Sequence, residues 1–386
     1  MRRVALPLLG LLALGLTPVG ARGQDACLEC HGLSGQEMAF AGGETKGASL
    51  DPEAWPKSAH GTAGLECQSC HTEHAEYPHP AVAEPTARRY TLARNAACEG
   101  CHEEQAKKFA DGVHNRLLQA GNEKAAVCTD CHDPHASERL TDSEKGTLRP
   151  AARAAVPQTC ARCHAEIDAK YRRSAHGAAL LHEGNADVPT CIDCHAVHST
   201  PDPRTVRFRL DSPKLCARCH TDETKMARYG LSTAVLRTYV ADFHGSTVTL
   251  FQKAHPDQQT NKPVCYDCHG VHDIPHADDP RKGLQVKDNL LRTCRRCHPD
   301  ATAAFPDAWM SHFAPDPQRT PLVYWVKRFY DVLIPVTVGA MLLFVAADFT
   351  RRRMERRRPP TSPASGEGSV ASAAAERPPQ SDEGQS

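Results

Sequence analysis

Aromatic residues make up only 5% of this 386-residue chain, while 29 prolines and 25 glycines interrupt it throughout. A polypeptide so poor in large rings and so rich in helix breakers lacks the means to build an ordinary side-chain core at this length. Net charge is lacking as well. The 46 basic and 46 acidic residues cancel, so overall charge selects no polyanionic partner and gives no sign of nucleic-acid binding. Nor does any cysteine stand alone: all 18 fall, without remainder, into nine Cys-x-x-Cys-His pentapeptides.

The first three are Cys27, Cys30 and His31; Cys67, Cys70 and His71; Cys98, Cys101 and His102. The middle three are Cys128, Cys131 and His132; Cys160, Cys163 and His164; Cys191, Cys194 and His195. The last three are Cys216, Cys219 and His220; Cys265, Cys268 and His269; Cys294, Cys297 and His298. Each cysteine pair can form thioether bonds to the two vinyl groups of one haem, and the following histidine lies where its imidazole reaches the iron. A disulfide scaffold needs paired cysteines but gives no reason for a histidine after every second one. Zinc sites use such pairs without demanding this pentapeptide at every occurrence. The motifs therefore imply nine covalently attached haem c groups. Nine flat apolar discs then supply the missing core, clothed by short helices and loops. The expected fold is mainly α with extensive irregular loops, little or no β, and one C-terminal transmembrane helix. Without haem this chain is not expected to fold.

Thirteen further histidines remain, and their placement is regular. Four motifs extend to Cys-x-x-Cys-His-x-x-His, adding His74, His135, His198 and His272. Each of the other five is followed by a histidine before the next motif or the membrane: His60, His114, His176, His244 and His312. Together they make nine candidate distal ligands. The chain thus alternates two motif types over about four and a half repeats. Stretches such as 165–174 and 221–242 read as helices ending near the distal histidine. A histidine three residues after the proximal one lies on the same side of its helical turn and cannot reach the far face of the same iron. His74, His135, His198 and His272 must then serve neighbouring haems. His79, His182, His255 and His276 are left over, and Met38, Met226 and Met310 are weaker axial candidates. Histidine on both faces lowers haem potential relative to histidine–methionine ligation and leaves no open coordination site.

The chain ends speak to compartment. Met-Arg-Arg, an apolar run over 4–19 and small residues near Ala21 and Gly23 read as a secretory signal peptide spanning 1–23. Residues 24–320 form the haem region. An uncharged stretch over 332–347 carries Tyr324, Trp325, Phe329 and Tyr330 on its entry side and Arg351, Arg352, Arg353, Arg356, Arg357 and Arg358 beyond it. That pattern describes an aromatic belt and transmembrane helix over 321–350, with the arginines held in the cytoplasm. The basic segment and the Pro/Ser/Ala-rich remainder, 351–386, read as a tail with too little apolar surface to fold. The haem region is then periplasmic, on a single-pass protein of a bacterial inner membrane.

On these motifs, from Cys27 to His312, the chain resembles the multihaem c-type cytochromes of the cytochrome c3-like and related respiratory families. With Pro321, Trp325, Phe329 and Pro335 leading into the span, it also looks like the periplasmic cytochrome subunit of membrane complexes that pair with a b-type cytochrome. It departs from tetrahaem quinol dehydrogenases, whose anchor is N-terminal. The resemblance implies an electron-transfer protein of anaerobic respiration rather than an enzyme. It would relay electrons between the quinone pool, through a b-type cytochrome or another quinone-linked complex, and periplasmic or outer-membrane redox proteins. The alternative is a multihaem reductase or oxidase of a small nitrogen or sulfur compound, which needs a five-coordinate haem. No motif here replaces the proximal histidine by lysine, and distal candidates are not scarce. A passive haem store or sensor would leave the anchor and the dense repeat without a purpose.

Overall fold

The computed structural model describes residues 24–308 and 312–357. The signal peptide over 1–23, Met310, Arg358 and the tail over 359–386 lie outside the described residues. Those described are mostly helix and irregular chain, as the composition implies. The one hairpin among them pairs Glu37–Ala39 antiparallel with Thr45–Gly47, Met38 opposite Lys46. Many helices run only four to eight residues, such as Ala59–Thr62, Cys128–Cys131, Ala165–Arg172 and Ala175–His182. Isolated helices hold in water only beyond about 12–15 residues, so these depend on what they pack against. The longest helix before Pro315, Val206–His220, has 15 residues and carries a motif at its end.

What they pack against is scarcely protein. The buried apolar side chains are scattered singly, among them Trp55, Tyr90, Tyr171, Leu180 and Leu291. One small cluster forms where Leu210, Val248 and Val264 meet Val206, Phe251 and Tyr266.

The expectation of helices over 165–174 and 221–242 ending near the distal histidine is met by the first, as Ala165–Arg172, and corrected for the second, which is not one helix. Beyond Arg172, Ser174 caps a new helix, Ala175–His182, with its hydroxyl accepting from Gly177 N at 3.0 Å. His176 is therefore the second residue of the next helix. The longer stretch breaks at Gly230, which takes the left-handed conformation (φ 62°), and Val235–Ala241 and Phe243–Ala254 follow. His60, His114 and His244 occupy the same second position of Ala59–Thr62, Val113–Gln119 and Phe243–Ala254.

Two even-numbered motifs end in turns that need a positive φ. Gly270 takes φ 83° directly after His269. The equivalent residue after His195 is Ala196, at φ 56° and ψ 177°, a region that costs a residue with a Cβ about 1–3 kcal/mol. Ala196→Gly should therefore raise stability by about 1 kcal/mol, read as a higher midpoint in denaturant titration of the holoprotein. An unchanged or lower midpoint would contradict it.

The segment from Pro315 onward forms a separate unit. Its helix, Pro321–Arg357, runs 37 residues with proline at its first position and is long and apolar enough to cross a membrane. It continues through the arginines past the expected boundary at 350. Each acidic residue flanking the uncharged stretch is paired one turn away: Asp331 with Lys327 Nζ at 2.8 Å, and Asp348 with Arg352 Nε at 2.8 Å. Neutralising these carboxylates lowers the cost of placing them at a membrane boundary.

Candidate haem sites

Within each pentapeptide the chain turns tightly, the histidine amide donating to the carbonyl of the first cysteine, as in His132 to Cys128 at 2.9 Å and His298 to Cys294 at 2.9 Å. In three even-numbered motifs the residue before the second cysteine is aspartate, and it ties the turn down. Asp130, Asp193 and Asp267 accept from the amides of Val127, Thr190 and Val264 at 2.7, 2.7 and 2.6 Å. The same carboxylates hold arginines from the helix leading into the preceding odd-numbered motif. Arg88 grips Asp130 with Nη1 at 3.0 and 2.9 Å, Arg153 Nη2 reaches Asp193 at 2.6 Å, and Arg209 clasps Asp267 at 3.0 and 2.8 Å. A second set of arginines, inside the odd-numbered motifs, links onward: Arg162, Arg218 and Arg296 donate to the carbonyls of Asp130, Asp193 and Asp267. These charge-assisted bonds, each worth about 1.5–3 kcal/mol, do the joining that a core would otherwise do.

The result is that every motif neighbours the next in chain order. The first cysteines of successive motifs lie side by side: Cys27 with Cys67, Cys98 with Cys128, Cys160 with Cys191, and Cys216 with Cys265. At the remaining junctions a second cysteine approaches the following pair, Cys70 meeting Cys98 and Cys101, and Cys131 meeting Cys160 and Cys163. In the same way Cys194 meets Cys216 and Cys219, while Cys268 meets Cys294 and Cys297, and burial pushes the Cys194 and Cys268 thiols up to about 11.

None of the 18 cysteines is tied up in a disulfide, so every pair can form thioethers. In eight motifs the first cysteine is half-buried and the second exposed, as with Cys294 and Cys297. The seventh departs from that pattern: Cys216 is exposed and Cys219 is half-buried. Cys219 lies inside the continuous helix Val206–His220, and sequence spacing alone gives no sign of this reversal.

The histidines supply the test of fit. An iron held by two imidazole nitrogens at roughly 2 Å each requires ring centres about 6 Å apart. Eight motif histidines face a remote histidine at that separation: His71–His135 at 6.0 Å, His102–His60 at 6.1, His132–His198 at 6.2, His164–His114 at 6.5, His195–His272 at 5.9, His220–His176 at 6.2, His269–His312 at 6.1 and His298–His244 at 6.2 Å. The donor set and spacing fit haem iron. Burial holds many of these imidazoles in the neutral form that binds metal. Desolvation lowers His71, His132, His135, His195, His198, His220, His272 and His312, and takes His176 and His269 to about 4. Among the described residues no group of His, Cys, Asp and Glu is arranged to hold a bare metal ion.

The pairing follows two opposed rules. A histidine of the Cys-x-x-Cys-His-x-x-His type faces the motif two places back, His135 to the second, His198 to the fourth and His272 to the sixth. A histidine following an odd-numbered motif faces the one two places ahead, His60 to the third, His114 to the fifth, His176 to the seventh and His244 to the ninth. His312, beyond the last motif, continues the backward rule to the eighth. The two arms touch, because the residue before three of the four forward histidines donates to the carbonyl two residues past a backward one. The bonds are Ala59 to Ser137 at 2.6 Å, Val113 to Thr200 at 2.8 Å and Ala175 to Ile274 at 2.8 Å. His74 stands apart, its ring 6.2 Å from its own motif's His71 and 5.3 Å from His79.

Sequence reasoning missed the aromatic residue five places before each forward histidine: Trp55, Phe109, Tyr171 and Tyr239. Its carbonyl accepts from the capping residue, Ser58, Gly112, Ser174 or Asp242, at 2.9–3.1 Å. A glycine follows the histidine at three of the four sites and is required there, since a Cβ on Gly61, Gly177 or Gly245 would collide with the carbonyl of Trp55, Tyr171 or Tyr239. The hydroxyls of Tyr171 and Tyr239 reach on to Pro189 O and Pro263 O at 2.7 and 2.8 Å, just before the next motif. The signal was present as a repeated aromatic-x-x-(Ser/Gly/Asp)-x-His. Met38 and Met226 are not part of any of these ring pairs.

Pentapeptide turns in chain order, free cysteine pairs and iron-spaced imidazoles define a multihaem c-type cytochrome with covalently attached haem c. Comparison with known proteins agrees. The family model for a doubled CXXCH motif matches residues 120–169 and 182–225. The multiheme cytochrome MtrA of Shewanella baltica is 27% identical over 295 residues, covering 72% of this chain and 77% of that protein. The C-type polyheme cytochrome OmcB of Geobacter sulfurreducens is 30% identical over 135 residues, 32% of this chain and only 16% of OmcB. No solved structure matches the chain.

Proposed function

We propose that this multihaem electron-transfer cytochrome carries nine haems, one at each pentapeptide, and relays electrons along them in chain order. It would run between the quinone pool of an inner membrane, through a b-type cytochrome partner, and periplasmic or extracellular redox proteins. The observation that supports the reading is the set of eight motif histidines that each face a remote imidazole at iron-bridging separation. Held between a motif histidine and its remote partner, haem would supply reversible one-electron chemistry and leave no site for substrate. The residues of this chain orient the imidazoles, keep them neutral, and hold successive motifs side by side. Cleavage of 1–23 and the span within 321–350 would leave the haem region in the periplasm, with the ninth motif nearest the membrane in sequence. The similarity to the multiheme cytochrome MtrA supports the multihaem part of this reading.

Mass spectrometry of the mature protein should find nine haems per chain. Its ferric electron paramagnetic and electronic spectra should be entirely low-spin and unaltered by cyanide or nitrite. A high-spin fraction that binds either ligand in the native protein would favour the reductase reading instead.

A further inference from the structure

Both pairing rules fail at the first motif. No motif precedes it to send a forward histidine, and the backward rule applied to His74 points to a motif that does not exist. We propose that His79, not His74, is the second axial ligand of the iron at Cys27, Cys30 and His31; the inference rests on that motif carrying a haem.

Three observations carry it. First, the His79 ring lies 6.1 Å from that of His31, inclined by 28°, within the range of the eight regular pairs. Second, both rings are oriented so that the same nitrogen is free. His79 Nδ1 is 2.8 Å from Glu76 O, and His31 Nδ1 is 2.7 Å from Ala48 O. An Nδ1–H donated to a backbone carbonyl fixes the tautomer that leaves Nε2 for metal. His60, in a regular pair, is held in the same way by Pro134 O at 3.2 Å. Third, His74 is turned elsewhere. Its Nε2 lies 3.5 Å from Glu73 Oε1, and Glu73 is itself ion-paired with Arg94. Its ring lies 6.2 Å from that of His71, the histidine of its own motif, which faces His135 at 6.0 Å. His74 thus fills the space between the first two motifs, while the segment after it brings His79 across.

The consequence is a ligand on an exposed connecting segment, Tyr77 being 88% exposed beside it, where the other distal histidines sit on capped helices or in turns beside a motif. The test uses the full-length holoprotein and its variants His79→Ala, His79→Met and His74→Ala, with haem counted by mass in each. His79→Ala should turn one haem per chain high-spin and able to bind cyanide. His79→Met should return that haem to the low-spin state with a methionine-to-iron charge-transfer band and a higher potential, which carries the test should the alanine variant lose haem. His74→Ala should keep every haem low-spin. A His79→Ala protein that stays fully low-spin, or a high-spin haem produced by His74→Ala, overturns the assignment. A wild-type protein one haem short, with free Cys27 and Cys30, would instead overturn the reading it rests on.

Discussion

Expressed without haem attachment, residues 24–314 should show almost no helix by far-ultraviolet circular dichroism and no cooperative melt. The argument is one of missing protein–protein burial. Folding must offset about 1–2 kcal/mol of backbone entropy per residue, mainly through apolar area removed from water. Among the described residues before Pro315 that area comes from scattered side chains and one small cluster around Leu210, Val248 and Val264. The helices are too short to persist alone. The arginine clamps on Asp130, Asp193 and Asp267 join motif turns to one another, and those turns have nothing to stand on without the macrocycles. Serine in place of all the motif cysteines, or synthesis without export, gives the material to measure. A haem-free chain that melts cooperatively would show that protein packing suffices and would undo the haem-core account.

His198→Met should alter the haem of Cys128, Cys131 and His132 and leave that of its own motif, Cys191, Cys194 and His195, unchanged. The ring pair His132–His198 at 6.2 Å predicts it. Methionine in place of an axial histidine raises haem potential, within the roughly 0.8 V that axial ligands span. Because a one-electron step costs about tenfold per 59 mV uphill, a mid-row haem raised by about 0.12 V would hold its electron about 100-fold longer. The variant should show one new methionine-to-iron charge-transfer band and slower passage of electrons between the ends of the molecule. Replacing Cys128 and Cys131 as well should abolish the band, whereas replacing Cys191 and Cys194 should not. The opposite result would mean that His198 serves a haem close to it in sequence, and the two-places-back rule would fall.

Much of this protein can be read from residue spacing because thioether chemistry is local. Five consecutive residues suffice to mark an attachment turn, so all nine pentapeptides, the helical class and the absence of a large apolar core follow from the order of residues alone. The spanning helix is equally legible, since a bilayer demands length and apolarity along one continuous segment. The pitch of a helical turn also gives the expectation that a Cys-x-x-Cys-His-x-x-His histidine faces a motif other than its own, as the rings of His135, His198 and His272 do and that of His74 does not. Which histidine meets which motif does not follow. That choice depends on contacts such as Arg209 on Asp267 and Ala175 on Ile274 O, which join residues 58 and 99 apart, and on where each short helix restarts after its aromatic residue. The spacing in sequence of His74 and His79 favours neither at the first motif. Their difference lies in which ring faces His31: that of His79 does, at 6.1 Å with its Nδ1 on Glu76 O, whereas Nε2 of His74 lies beside the Glu73 carboxylate, and only folding of the chain brings those groups together.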